Sequence, residues 1–477
     1  MLYILYLNIS KGEVTMPKTE NNQKINKVAV TDDNITGRGG MALFSRYIDS
    51  IGILSLLLDK FSFLRKSSKG LSISSLFKQI FCWFIDKTSR HLCYFDSLKK
   101  DEGYASAIET DTTKMASSHQ IKRFFSKFGL GSSFIFRFIL NKLFIWRLDI
   151  EKPEEIRLYI DSMVLNNDDA EKRQGVEPTY KKVKGFKPLQ ISWNGFIIDC
   201  IFRGGKKNCN YGDVAANMII KLVNLIRKKY NKDVPIFLHC DSGFFDVKNF
   251  ETFNALNIAF IASGKMYDGV KEYVQSTSDK QWENYNKDKQ VWEYIDFGFS
   301  CKSWNKFFRA IYTRMVSNSN GQMLIDFDRS ENVILTNIGI NEKVLENCSP
   351  DRKEYWLKSI SIIVSYHQCG TDELTHRALK DFGFEQLPFK RFNANMALYY
   401  CMLISFILFV SFKHDISNEV IPITSYATSV RRKLIDIAAK ITRTGHEVIL
   451  KVTNYVMTNL RFDQLWFKCQ NPPPIIA

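Results

Sequence analysis

Two short apolar runs in this chain end in aspartate. Ile156-Arg-Leu-Tyr-Ile160 leads into Asp161, and Val234-Pro-Ile-Phe-Leu-His-Cys240 leads into Asp241. An acid at the end of a strand is held at the rim of a sheet. Two such acids on neighbouring strands repel each other, which is unfavourable unless a cation lies between them. Hard oxygen ligands that leave positions open for water and phosphate suit Mg2+, with Mn2+ as a substitute. The plain alternative is that each Asp caps the turn that follows it.

A third acid stands in YHQCGTDELTHRALKDF, residues 366–382. Tyr366, Glu373 and Lys380 are seven apart and recur on one face of a helix, with Arg377 one turn beyond Glu373. An acid flanked by a phenol and cations suits a metal ligand beside a phosphate backbone. Taken alone, the segment reads equally well as a solvated face with a Glu–Arg pair.

The elements around these residues follow from periodicity. Residues 1–40 are polar, rich in Asn, Thr and Gly, and expected to be mobile. The apolar MLYILYLNIS at the start is too short for a signal sequence and lacks a basic leader, and Met16 is a candidate start. From 41 to 150, IGILSLLLDKF, ISSLFKQIFCWFI and SSHQIKRFFSKF carry apolar residues at helical spacing, with Ser117 or Ser118 as an N-cap. From 151 to 264 strands alternate with helices. PLQISWNGFIIDCIFRGG is a hairpin turning at Asn194-Gly195. Residues 265–355 alternate aromatic and β-branched with polar residues, with a turn at Asn320-Gly321, and read as a β-rich insertion. Residues 356–415 resume helical texture. Residues 416–477, with SVRRKLIDIAAKITRTGHEVILKVTNYVM, read as a basic helical tail. The class is α/β: a mixed sheet with flanking helices, interrupted by a β-rich insertion, plus a helical N-terminal domain and a helical C-terminal region.

Asn395 to Phe412 carries no charge and is the one membrane-span candidate. It is at the short limit for a span and contains Asn395, two Tyr and two Ser, so a buried core helix is the expectation.

The 477 residues carry 66 Lys and Arg against 50 Asp and Glu, a formal charge of +16. That surplus favours a polyanionic partner. Lys181, Lys182 and Lys184 follow the first Asp, and Arg431-Arg432-Lys433 opens the tail; both are candidate phosphate contacts, with solvated surface as the alternative. Trp282, Trp292 and Trp304 in the insertion are available to stack on a base or to pack a core. The 10 Cys form no C-x-x-C pair, which argues against a disulfide frame or a zinc site and for reduced thiols in a cytoplasmic protein.

Together these features resemble the DDE transposases of bacterial insertion sequences, in the branch whose last acid carries the signature Tyr-x2-Arg-x3-Glu-x6-Lys. Tyr366, Glu373 and Lys380 fall in register. HCDSGFF resembles the strand and second acid of that family, LYIDSM the first, and GFEQLPFKRFNANMALYY the segment after the Glu. The likeness covers roughly residues 155–412. It implies a ribonuclease-H-like domain with Asp161 on its first strand, Asp241 on its fourth and Glu373 on a later helix. These would bind two metal ions for cleavage and strand transfer on double-stranded DNA, with a homodimer in the DNA complex. A nuclease without strand transfer, or a DNA-binding derivative with weakened catalysis, would share the acids.

One position departs from the signature: its Arg falls at Cys369. The family uses that Arg to hold phosphates, and Cys has no fork of donors, so His367 or Arg377 is left to compensate. Cys369→Arg is expected to tighten binding to the element's own end by roughly ten- to a hundredfold, the worth of one charge-assisted hydrogen bond. End-DNA affinity at fixed salt is the measurement. Unchanged binding, with a large loss in Arg377→Ala, would show that the grip has moved.

Overall fold

The computed structural model describes residues 25, 27–65, 67, 69–170, 172–208, 211–287, 290–301, 304, 306–317, 330–368 and 370–475, the side chains of 370–373 excepted. Its centre is a nine-stranded sheet, whose strands are β1 Ile156–Ser162, β2 Leu189–Trp193, β3 Phe196–Ile201, β4 Ile236–Cys240, β5 Ala259–Ser263, β6 Glu283–Lys287, β7 Gln290–Phe299, β8 Phe308–Ser317 and β9 Glu331–Thr336. Their order across the sheet is β6-β7-β8-β9-β5-β4-β1-β2-β3. β1, β4 and β5 run parallel, and every other neighbouring pair is antiparallel. The region expected as an insertion therefore does not form a separate sheet. β9 pairs with β5, and the strands of residues 283–336 extend the central sheet sideways. Asn320 and Gly321 lie outside the described residues.

β1 shows why the sheet needs two covered faces. Ile156, Leu158 and Ile160 are buried on one side, while Arg157, Tyr159 and Asp161 are half-buried on the other. Leu238 and its neighbour Phe260 point to the first side, where the helix Val247–Ala255 packs Phe250 on Phe260 at 4.7 Å. Phe237 and Ile261 point to the second side, where Trp356 stacks on Phe237 at 4.2 Å. That side also carries the helices Ser359–Gln368, Gly370–Phe382 and Phe392–Phe412.

The Phe392–Phe412 helix has no apolar stripe because it is apolar all round, and it is buried along its length. By length and composition it could span a membrane, yet the protein surrounds it entirely. Tyr400 stacks on Phe136 at 5.2 Å and donates its hydroxyl to the Cys200 carbonyl at 2.7 Å, on β3. Phe412 meets Phe44 and Tyr47 edge-on. Asn395, the polar residue that argued against a span, accepts from Phe389 N–H at 2.9 Å and donates to Phe389 O at 2.7 Å.

The helices of residues 41–151 wrap this core helix, so they share one continuous core with the sheet. Ser117, not Ser118, caps its helix, in a capping box with Gln120. Asn194 and Gly195 take the positive φ angles of 47° and 80° that a tight hairpin turn needs.

Two expectations need correction. The stretch 27–40, expected to be mobile, includes the strand Ile35–Thr36, which pairs with Ala439–Lys440. The C-terminal region is not a run of helix. Ala439–Thr444 and Glu447–Lys451 form a hairpin around Gly445-His446, followed by the helices Asn454–Asn459 and Phe462–Gln470. Ile441, Thr442, Thr444, Val448 and Ile449 are β-branched, and Gly445 supplies the turn at φ 61°. Apolar spacing there fits both periods, and the turn glycine decides between them.

A buried ion network ties the N-terminal helices to the end of the core helix. Arg147 is 2% exposed. It donates to Asp415 at 2.8 and 2.9 Å and to Glu151 at 3.1 Å, while Tyr47 donates to Asp415 at 2.7 Å. Arg147→Met leaves two carboxylates without their cation in a poorly solvated place. It is expected to cost about 3–5 kcal/mol in unfolding by denaturant. Lys358→Met, which removes the exposed pair with Glu354, should shift stability by no more than about 0.5 kcal/mol.

Candidate active site

β1 and β4 pair in parallel, with Ile160 opposite Cys240. The next residue on each is therefore Asp161 and Asp241, side by side at the same rim. Asp161 has the parity of Arg157 and Tyr159, and Asp241 that of Phe237 and His239. Both acids thus emerge on the face that carries the Gly370–Phe382 helix. Asp241 is also the cap of a short turn, accepting Gly243 N–H at 2.9 Å. The turn-capping alternative is realised there, and it orients the carboxylate without removing it from the rim.

The Asp241 carboxyl keeps solvent access, but the surrounding protein pushes its pKa up, and the neighbouring charge of Asp161 pushes it further. Gly243 N–H and Lys187 pull the other way. With the parallel register, that pattern fits two acids sharing one electrostatic site. Two hard carboxylates at a rim, each raising the other's energy, fit a divalent cation. Among the described residues, no three His, Cys, Asp or Glu groups form a metal cluster, the side chain of Glu373 being outside them.

Glu373 stands in the Gly370–Phe382 helix, one turn before His376. His376 Nδ1 lies 3.5 Å from Asp161 Oδ2, so this helix crosses directly over the first acid. Its far end is pinned. Lys87 donates to the carbonyls of Lys380 and Asp381, and Arg431 to that of Phe382 at 2.8 Å. Cations at the carbonyl end of a helix also suit its dipole. Burial, and then Arg431 beside it, lower the Lys87 pKa to about 8. Gly383 follows the helix against the core helix, and a Cβ there would meet Met402 Sδ at 2.1 Å.

The remaining candidates divide. Tyr366 donates to Ser263 Oγ at 3.2 Å, at the end of β5 and so beside the acidic rim. His367 is packed in a ring cluster, its Nε2 3.2 Å from the Tyr285 hydroxyl and its ring edge-on to Trp292. Cys369 lies outside the described residues. Arg377 is exposed, and Lys380 pairs with Glu385 at 2.9 Å. Lys181 and Lys182 are exposed on the turn before the Lys184–Phe186 strand. That strand belongs to a small three-stranded sheet whose Leu165–Asn166 strand follows Asp161 closely in the chain. Arg432 and Lys433 are exposed, but Arg431 is not available to DNA. Its guanidinium is buried on the carbonyls of Phe84, Ile85 and Phe382, and it serves the fold. Trp292 is a core residue, Trp304 is half-buried and packs against Phe245, Phe250 and Phe308, and Trp282 lies under Arg314 at 3.9 Å.

Sequence reasoning did not single out two residues of the site. Lys187 is 7% exposed, lies over the Tyr180 ring at 4.7 Å and acts on Asp241. His376 contacts Asp161. The signal for His376 was its place one turn after Glu373. Lys187 stood only as one of the lysines in the basic segment 171–207 that could line a DNA path, with nothing to tie it to Asp241.

The domain profile described as transposase DDE domain, group 1, matches residues 18–472, and the chain belongs to that family: it is a DNA transposase. No match is found among curated proteins. A similar solved structure is a piggyBac transposase synaptic complex with hairpin DNA, at 11% identity and a TM-score of 0.42, covering 85% of this chain and 83% of that one.

The raised pKa of Asp241 has a consequence for stability. A carboxyl whose pKa is higher folded than unfolded adds stability below the unfolded pKa. That contribution is lost as pH rises through the folded pKa. At neutral pH the charged Asp241 therefore costs stability. Asp241→Asn, which keeps an acceptor for Gly243 N–H, is expected to raise the melting midpoint of metal-free protein by roughly 1–3 °C at pH 7. The gain should vanish near pH 3.8 and below. An equal gain at both pH values would assign it to packing instead.

Proposed function

We propose that the chain cuts at the ends of its own insertion sequence and joins them to target DNA, using Asp161, Asp241 and Glu373 as the ligands of two Mg2+ ions. The observation that carries this reading is the adjacency of Asp161 and Asp241 beneath the helix that bears Glu373. The strand order supports a ribonuclease-H-like domain, since the first acid ends the first strand, the second ends the fourth, and these strands are neighbours. Ions bound there would activate the attacking water or 3′-hydroxyl and neutralise the leaving 3′-oxygen.

The protein's own groups do the rest. Gly243 N–H and the β4 rim orient Asp241, and His376 braces one oxygen of Asp161. Lys187 offsets negative charge at the rim, where the acids and a DNA phosphate would meet. Lys181, Lys182, Arg432 and Lys433 are exposed and free of the packing role that occupies Arg431, so they are the phosphate contacts we assign. Tyr366 at the β5 rim fits the signature position beside the cut strand.

Asp161→Asn, Asp241→Asn and Glu373→Gln should each abolish Mg2+-dependent nicking of a labelled element end while leaving end binding within about threefold. Strand transfer should be lost with nicking. Wild-type nicking without any transfer of a pre-cut end would favour a nuclease. Full activity in Asp241→Asn would remove the site.

A further inference from the structure

The C-terminal hairpin leaves one strand edge open. Ile35–Thr36 covers the Ala439–Thr444 side, and Glu447–Lys451 is the outer strand of that sheet among the described residues. Soluble proteins usually guard such an edge with a central lysine, a proline or a bulge. This one reads Glu-Val-Ile-Leu-Lys, with charge only at its ends. Val448 is 64% exposed and Ile449 38%. Thr444 stands opposite Glu447 across a two-residue turn, which makes theirs a hydrogen-bonded pair. Alternation then turns the backbone N–H and C=O of Val448 and Leu450 away from the hairpin. Beside the edge lies a mostly apolar hollow of about 680 Å³, lined in part by Met457, Phe462 and Trp466.

We propose that this edge pairs with the same edge of a second copy of the chain, antiparallel, about a two-fold axis through Ile449. The sequence is complementary to itself in that register. Glu447 falls opposite Lys451 of the second copy at both ends, and Val448 falls opposite Leu450. Ile449 meets its own counterpart. The outward backbone groups of Val448 and Leu450 become hydrogen-bonded pairs, joining two three-stranded sheets into one of six. A slip of two residues sets Lys451 against Ile449 and loses both ion pairs, so charge selects the register. The surface is separate from the acidic site, and its test reads mass and not cleavage.

The experiment is sedimentation of the full chain, without DNA, over a micromolar concentration series. The wild type should show a monomer–dimer equilibrium. Glu447→Lys sets like charges opposite each other twice per dimer and should raise the dissociation constant about tenfold or more. The exchanged double variant Glu447→Lys/Lys451→Glu should return it to near the wild-type value. All of these positions are exposed, so the fold is not at stake. In parallel, Ile449→Cys should give a reducible cross-linked dimer on mild oxidation, whereas the exposed Cys93 of the parent chain should not. A wild type that stays monomeric throughout overturns the proposal. So does a dimer indifferent to Glu447→Lys and not cross-linked through position 449. A dimer that forms only after removal of residues 1–24 would assign the edge to the chain's own N-terminal segment, and would overturn it as well.

Discussion

The parallel pairing of β1 with β4 sets two negative charges next to each other, and much of the structure serves to hold them there. The register that places Ile160 opposite Cys240 leaves Asp161 and Asp241 no choice of neighbour. Repulsion between them is tolerated because the strands below are locked by burial of Leu158, Ile160, Leu238 and Cys240. Burial, and then the charge of Asp161, disfavour the ionised form of Asp241 and raise its pKa. Like charges held together in this way lower stability at neutral pH, a cost that folded proteins bear where burial elsewhere offsets it.

The helix bearing Glu373 depends on that frame from outside the sheet. It touches the site through His376 and is anchored at its other end by Lys87 and Arg431, which come from opposite ends of the chain. Both cations sit in poorly solvated surroundings that lower their pKa, to about 8 and about 10. Such groups keep their place only because the carbonyls of the helix end, and of Phe84 and Ile85, accept from them. The orientation of the third acid's helix is thus tied to the N-terminal helices and the C-terminal region alike.

The core helix Phe392–Phe412 makes that coupling possible. It packs Tyr400 against β3, Phe409 against Phe382 on the Glu373 helix, and Phe412 against Phe44 and Tyr47. A segment this apolar could be soluble only if every side found a partner, and the helices of residues 41–151 are arranged around it to that end. The N-terminal helices therefore stabilise the central sheet through this core helix, on the same face as the two acids.

Local pattern was enough to read the strands ending at Asp161 and Asp241, the Asn194-Gly195 hairpin, a serine cap at position 117 or 118 and the burial of the uncharged helix. Each is settled by periodicity, turn chemistry or charge within a few residues. The family signature supplied Glu373, which no local rule singles out. Pattern misread the C-terminal hairpin, where β-branched residues and helical spacing coincide and one glycine decides. It also could not show that residues 283–336 continue the central sheet, because strand pairing is a choice between distant edges. Nor could it separate Arg431, buried on three carbonyls, from its exposed neighbours Arg432 and Lys433. The roles of Lys187 and His376 arise from proximity across long stretches of chain. The sequence by itself determined which residues can form strands, helices and acids at strand ends, since those properties are local. Only the tertiary structure decided which of them meet, because register and packing are settled by contacts far apart in the chain.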